Sequence, residues 1–598
     1  MDRLHNELVI IDGNVDNVSD VLSLVNKYQS VIVLSQKNGF TELLDYLALN
    51  SIVWSAFHFI THGSDGSFIL NNTAISGSSL HADEWKELGS YLASEGDILL
   101  YGCNIAASDT GKQLVRSIAE AAHADVSASI DITGIGGNAV LEFSTGDIQT
   151  TSILPDSFSD ILESAGTRTV IPELSSQTIS NALYNNLSGT EDGGAILNNG
   201  TAIVTNSTFS TNTTENSSDN AYGGAICNSE NAVIEITLST FNSNQSNKGG
   251  AIYNESTSFS VSQSVFSKNS AIISSQADGG AIYNDGSATV SSSSFLNNSS
   301  NISGGAIANY GTATISACTF GTNNASEFGG AVLNKGTIEF GCAVQTEETI
   351  LDIASVCVFI SNEAFKGGAI ANSGTATISA CTFGTNTAFY SGGAIYNEDS
   401  ALADITDVLF SNNSAGNGGA VYNTSSAVAN ITASSFSNNF AENGGAVYNE
   451  DASFFSNNSD FQNNTAESYG GAVYNAATAT VTQCRFSQNT TSDSGGAIYN
   501  NDNEFDIIAS TFSQNLADRY GGAVYISAGS VSIENAIFHA NTATSGGAIY
   551  NNNSEMVTVI GSTFSGNGAS SVSGGAIYND SDMTIKNSVF ATKTDTIY

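Results

Sequence analysis

Two apolar runs in the first 150 residues end in residues that can do chemistry. FHFITHG (57–63) closes on His62 and Gly63, and DILLYGC (97–103) closes on Gly102 and Cys103. An imidazole next to a thiol lowers the thiol's pKa or takes its proton, and the thiolate is the nucleophile. Cys103 is the only cysteine of this segment. The competing reading is structural: His62 begins a turn and Cys103 is a buried strand-end residue. His58, inside its run, reads as a packed residue. His81 precedes a helix and reads as solvated. Asp65 and Asp131 are the weaker candidates for a helper carboxylate.

A His–Cys pair works only if the backbone brings the two residues together. ELVIID (7–12), SVIVLS (30–35), FHFITHG, DILLYGC and DVSASI (125–130) read as strands. VSDVLSLVNKY, FTELLDYLALN, ADEWKELGSYLA and DTGKQLVRSIAEAA carry apolar residues at helical spacing. Alternating strands and helices with near-continuous apolar strands predict a buried parallel sheet. In such a sheet, functional groups gather at the carboxyl ends of the strands. That edge is where both His62 and Cys103 fall.

The chain has 598 residues and a formal net charge of −42, with 15 Lys or Arg. Such a surface repels phosphate backbones and anionic membranes, so no nucleic-acid partner is expected. Forty-one per cent of residues are hydrophobic, enough to build a core. No apolar run reaches the ~18 residues of a membrane span. MDRLHNELVIIDGN lacks the apolar core of a secretory signal. The expectation is therefore signal-less export, export directed from elsewhere, or an internal protein. Seven cysteines without paired spacing suggest neither a metal site nor a disulfide scaffold, and no cofactor motif is present.

Both prolines, Pro155 and Pro172, lie in a polar stretch. We place a linker with a first irregular coil at 151–190, between an α/β domain (1–150) and a repeat domain (191–598). In the repeat domain GGA occurs fifteen times, mostly 25 or 26 residues apart. A fixed period of this size marks a stacked architecture. Short apolar alternation broken by Asn, Ser and Gly predicts a right-handed parallel β-helix of about 15 coils, in total a rod of roughly 70 Å at the inter-strand spacing.

Each position of the repeat has an expected role. The fourth residue of GGA[IV]xN is always Ile or Val and belongs in the core. The sixth is Asn in fourteen of fifteen units, with Ile526 the exception. Buried amides need partners, so these are expected to bond from coil to coil as an asparagine ladder. In the second motif, FxxN, the Phe column is expected to stack in the core. Its Asn is expected in a turn, adopting the left-handed conformation. Cys318, Cys357 and Cys381 share one phase with Ser239, Ser264 and Ser293. That column reads as small inward residues, with a metal or disulfide ladder as the alternative. The fifth position of the first motif is often Tyr: 253, 283, 396, 422, 448, 474, 499, 525, 550 and 578. If it faces outward, it is either stacking that shields the ladder or an exposed stripe for sugar rings or a partner protein.

The paired GGA[ILV] and FxxN motifs, from about 193 to 567, resemble the repeats of chlamydial polymorphic membrane proteins, which have a pectin-lyase-like β-helix. The resemblance implies a surface-exposed β-helical passenger involved in adhesion. Members of that family end in an outer-membrane barrel, whereas this chain stops at FATKTDTIY. A different export route, or a longer parent chain, is the expectation. The His62-Gly63 and Gly102-Cys103 strand ends resemble the caspase and gingipain group of cysteine peptidases, although Gly102 stands where that group usually has Ala. THGSDG, LLYGCNIA and GGNAVLEFSTGDI resemble an uncharacterised domain that opens large bacterial surface and secreted proteins. This implies a leader role in export or processing.

The favoured reading is an adhesin-like protein, extracellular or on the cell surface. Its expected partners are a host or neighbouring cell surface, a glycan or a matrix protein. The alternative is a self-processing cysteine peptidase using His62 and Cys103. A third reading, a polysaccharide-active β-helix, needs converging charged side chains. Only eight scattered Lys or Arg follow residue 190.

Overall fold

The structure is a computed structural model. It describes residues 6–12, 29–34, 39–50, 52–70, 73–77, 79–102, 104–130, 141–150, 153, 168–189, 191–214, 222–272, 277–341, 356–501, 504–552, 554–571 and 573–598. Cys103, Asp131 and the expected helix VSDVLSLVNKY lie outside the described residues. The chain divides into two compact units. One is Met1–Thr167 with Ile179–Asn185 and Asn206–Thr208; the other is Arg168–Thr178, Asn186–Thr205 and Phe209–Tyr598.

The first unit is built on a mixed sheet. Its strands are β1 (Glu7–Asp12), β2 (Gln29–Leu34) and β3 (Trp54–Ile60). After a separate antiparallel trio, β4 (Gly63–Ser64), β5 (Ser67–Leu70) and β6 (Thr73–Ser76), come β7 (Leu92–Tyr101), β8 (Asp125–Ala128) and β9 (Phe143–Ser144). The sheet order is β2-β1-β3-β7-β8-β9, with β9 alone antiparallel to its neighbour. Leu8, Ile10, Phe57, Phe59, Ile98, Leu100 and Val126 are fully buried in one core cluster. Val9, Ile11, Ile60 and Leu99 at the alternate positions are buried too, which is why the strands carry apolar runs rather than a simple alternation.

Among the described residues three helices accompany the sheet: α1 (Gly39–Asn50), α2 (Ala82–Gly89) and α3 (Asp109–Ala122). The α3 start is capped by Ser108, whose Oγ accepts from Thr110 N at 3.1 Å. It ends at His123 with φ 53°. Leu114, Val115 and Ile118 face the core. Two expectations shift. The helix read as ADEWKELGSYLA stops at Gly89, because Leu92 already pairs with Trp54 in the sheet. The trio β4–β6 follows His62 directly and had no expected counterpart.

In the second unit each regular coil has four strand segments. Ile252–Asn254, Ser258–Ser262, Val265–Ser267 and Ser270–Ala271 are one such set. The first two segments share a sheet, so the coils stack as three long parallel sheets. Registry is strict: Ile252 pairs with Ile282, Phe241 with Phe266 and Val421 with Val447. The solenoid is thus a large parallel β-helix.

Its interior follows the repeat position by position. The Phe column from Phe209 to Phe590 stacks with centroids 4.6–5.0 Å apart. The GGA-motif asparagines form the expected ladder: Asn423 Nδ2 donates to Asn449 Oδ1 at 2.9 Å, and Asn449 Nδ2 to Asn475 Oδ1 at 2.8 Å. Ile526 interrupts it, and Asn500 Nδ2 turns to Ala528 O at 3.1 Å instead.

The FxxN asparagines depart from expectation. They are buried and form a second ladder. The left-handed residue is the one before each of them, such as Asn438 (φ 55°) and Asn463 (φ 54°). Asn439 Nδ2 donates to Asn464 Oδ1 at 2.9 Å and to Phe410 O at 3.1 Å. Its backbone N also donates to Asn464 Oδ1, at 3.1 Å. At this corner the carboxamide supplies acceptors and donors that strand pairing no longer provides.

The glycine pair divides its labour. Gly444 has φ +61°, whereas a Cβ on Gly445 would collide with the carbonyl oxygen of Gly471 in the next coil. The small column is buried as expected, and Cys318, Cys357 and Cys381 are free thiols. Burial pushes the Cys318 thiol up to about 12. The Cys381 thiol hydrogen-bonds Cys357 and holds that thiol below its ordinary value against the opposing effect of burial.

Candidate functional site

In the first unit the carboxyl edge of the sheet gathers several polar residues. Ile11 pairs with Ile60, and Ile60 with Tyr101. The register therefore sets Asp12, the last residue of β1, beside the Thr61–His62 pair that follows β3 and Gly102 that follows β7. Asp12, Thr61 and His62 are fully buried. Thr61 N donates to Tyr101 O at 3.1 Å, and Ile69 N donates to His62 O at 3.0 Å. The hairpin after β3 is thereby folded back over the strand end. A Cβ on Gly102 would lie 3.1 Å from Gly63 N and 2.8 Å from Ile105 Cδ1, so the two strand ends pack closely here and a larger residue would have to push its neighbours aside.

His62 thus stands beside the segment that leads into Cys103, which itself lies outside the described residues. Asp65 is engaged in holding the fold, since its Oδ1 accepts from Ser108 N at 3.0 Å and anchors the start of α3. His58 is buried and packed, 3.2 Å from the Tyr101 hydroxyl and 3.4 Å from Glu7. His81 is exposed at the start of α2. Asp12 was missed by sequence reasoning. Its signal was available, since ELVIID ends in a carboxylate at the same sheet edge.

The second unit offers surface chemistry. The tyrosines of the GGA motif are not an exposed stripe. Tyr253, Tyr283, Tyr396, Tyr422, Tyr499 and Tyr525 are buried. From Tyr396 to Tyr578 the rings stack at 4.4–5.5 Å. In-register stacking covers both faces of each ring, which is why an outward position ends up shielded. Burial raises the phenol pKa values; for Tyr422 a hydrogen bond to Glu450 adds to this.

Tyr448, Tyr474, Tyr550 and Tyr578 are half-buried, and the exposed aromatic side chains of the solenoid are others, Phe440 and Phe455 among them. Phe389 is 80% exposed, Tyr390 50% and Phe365 41%. Phe365 stacks on Phe389 at 5.7 Å and on Tyr390 at 5.6 Å. Their signal is TAFYSGG (387–393), where two aromatics precede the glycine pair. Among the described residues, no group of three His, Cys, Asp or Glu side chains could hold a metal ion, and no helix is long and apolar enough to cross a membrane.

Comparison with known families gives two matches. A domain of unknown function, DUF4347, matches residues 8–161. The Chlamydia polymorphic membrane protein repeat matches 239–255, 263–285, 407–424, 433–450, 453–476, 483–501, 509–527 and 561–580. The matched repeats lie in the solenoid between residues 239 and 285 and between 407 and 580. No curated protein and no solved structure matches the chain.

Proposed function

We propose that this is a surface-associated β-helical protein whose solenoid is a non-enzymatic, adhesin-like binding rod, on the cell surface or outside the cell. The observation that carries the reading is the polymorphic membrane protein repeat, present between residues 239 and 580 as rungs of one parallel stack. In this reading, buried residues at the recurring motif positions build the rod, and contact with a partner falls to exposed side chains between them. The first unit serves export or processing. The test is labelling of intact producing cells with a membrane-impermeant amine reagent or an antibody against the solenoid. Labelling of intact cells, or recovery from the medium, is the expected result. A chain reached only after lysis would overturn the reading.

The register at the sheet edge supports a second reading, a cysteine peptidase acting on its own chain or a partner. His62 would serve as base and Cys103 as nucleophile. Adjacency of β3 and β7, with Gly102 packed against Gly63, supports it. Purified full-length protein should self-cleave or take up a thiol-directed peptide warhead. Cys103→Ala and His62→Ala should do neither. A wild-type chain that stays intact and unlabelled ends this reading.

A further inference from the structure

From Gly367 to Cys484 the chain carries nine Asp or Glu and no Lys, Arg or His. The exposed rings of Phe389 and Tyr390 lie within this stretch. Elsewhere on the solenoid, aromatic rings near the GGA corner hold a cation from the chain itself. Lys248 Nζ sits 4.8 Å from the Tyr283 ring centroid, Lys335 Nζ 5.0 Å from Tyr310, and Lys366 Nζ 4.7 Å from Tyr396. Arg519 lies 5.4 Å from Tyr520. Among the described residues no cation stands over Phe389 or Tyr390. The nearest along the chain, Lys366, is engaged: its Nζ donates to the Tyr396 hydroxyl at 2.9 Å.

The local relief suits a side chain coming from outside. In the next coil the position beside these rings is Gly416, where a Cβ would stand only 2.7 Å from Tyr390 O. Gly416 packs its backbone against the preceding coil and puts no side chain across the rings. One coil further, Ala441 pairs with Ala415, which places exposed Glu442 at the matching position. Two rungs of ~4.8 Å separate rings from carboxylate, a span that a Lys or Arg side chain lying on the ring can bridge.

We propose that the Phe389–Tyr390 edge docks a lysine- and arginine-rich segment of a partner protein, cation over ring and charge toward Glu442. This deepens the surface-rod reading and rests on it. The aromatic pair supplies the face, and the uncompensated acidic stretch supplies the field that selects a basic partner over an acidic one.

The test uses the purified full chain and a fluorescent ten-residue peptide of alternating Arg and Gly. Binding to the wild type is expected, weakened about fivefold by Phe389→Ala/Tyr390→Ala, as loss of exposed cation–ring contacts implies. Phe389→Leu/Tyr390→Leu, which keeps apolar area, should weaken it equally. Glu235→Gln, on another part of the solenoid, should change it less than twofold. All three variants should melt with the wild type, since the rings are exposed. Equal binding by wild type and ring variants would reduce the attraction to bulk charge and overturn the proposal. So would full binding by the leucine variant, ring-dependent binding of a neutral oligosaccharide without any for the peptide, or no peptide binding. Because the peptide assay does not depend on where the chain resides, a rod found inside the cell would sink the surface reading and leave this measurement standing.

Discussion

Both units are built on parallel strands, yet they use their sequence in opposite ways. In the first unit each strand occurs once, and its neighbours differ from it. Residues at the strand ends, Asp12, His62 and Gly102, meet in one place only. In the solenoid each strand lies on near-copies of itself, so identical side chains meet above and below. Phe stacks on Phe and Asn bonds Asn along the stack. Repetition thus consumes residue identity in making the rod. What is left for partners in the solenoid is whatever departs from the repeat, and Phe389 and Tyr390 are such departures.

If neighbouring copies hold each other in place, the largest effect should come from pushing two coils apart. Gly445→Ala aims a methyl group at the Gly471 carbonyl of the next coil. Both sides are backbone, so neither yields easily. We expect a loss of about 3 kcal/mol, the upper end for overpacking, measured by denaturant unfolding. Hydrogen exchange should open first around residues 444–475. In the first unit, Gly102→Ala meets Gly63 N and Thr61 O at 3.1 Å. That is a gentler conflict, and it should disturb only the sheet edge. Equal and global effects from both substitutions would erase the distinction between the units.

The next effect sharpens a contrast inside the solenoid, between its two asparagine ladders. Asn464 accepts two hydrogen bonds from Asn439, through N and Nδ2, and donates to Asn489 Oδ1 and Phe436 O. Asn464→Ala strands buried donors and acceptors on two coils, at about 1–3 kcal/mol for each unsatisfied group, less what relaxation recovers. Asn475 receives one side-chain bond, from Asn449, whose Nδ2 has Thr478 O within 3.2 Å as an alternative. Asn475→Ala should cost about half as much. Nature supplies the precedent at Ile526, where that ladder is broken. The reverse order of melting temperatures for the two alanine variants would refute the ranking.

Much of this was legible in the sequence, and the limits have physical reasons. Period, Phe column and first ladder follow from spacing and parity alone. The second ladder was misread because an Asn near a corner is equally suited to a left-handed turn. Only the three-dimensional corner shows that the residue before it turns and the Asn faces inward. For the tyrosines, parity left two outcomes open, stacking that shields the ladder or an exposed stripe, and only the three-dimensional stack decides for the first. In the first unit, five strands were visible as apolar runs, but the antiparallel trio after His62 was not, since its strands are short and weakly apolar. The juxtaposition of His62 and Gly102 depended on strand order, which the alternation of elements suggested without specifying.

The smallest predicted effect concerns the end of the second ladder. There Asp595 stands where the preceding rungs have Asn. Its Oδ1 accepts from Asn567 N at 2.9 Å, and its Oδ2 from Gly566 N at 3.1 Å. Partial burial favours the neutral acid, but the Thr592 hydroxyl and these backbone donors outweigh it and hold the carboxyl below its ordinary value. A depressed folded-state pKa means that the stabilisation is complete above the unfolded value of about 4 and is lost as pH falls below it. Lowering pH has the opposite effect on the rest of the chain, because protonation relieves the self-repulsion of a −42 net charge. Global melting would therefore hide the local change. Protection of the Gly566 and Asn567 amides against hydrogen exchange, corrected for intrinsic rates, isolates it. Between pH 5 and pH 3 their protection should fall while that of the Asn439 amide, bonded to a neutral Asn464, holds or rises. Asp595→Asn replaces the titrating rung by the residue used everywhere above it and should abolish the fall. If the two amides keep their protection in the wild type at pH 3, the carboxylate contributes nothing that a neutral acceptor does not.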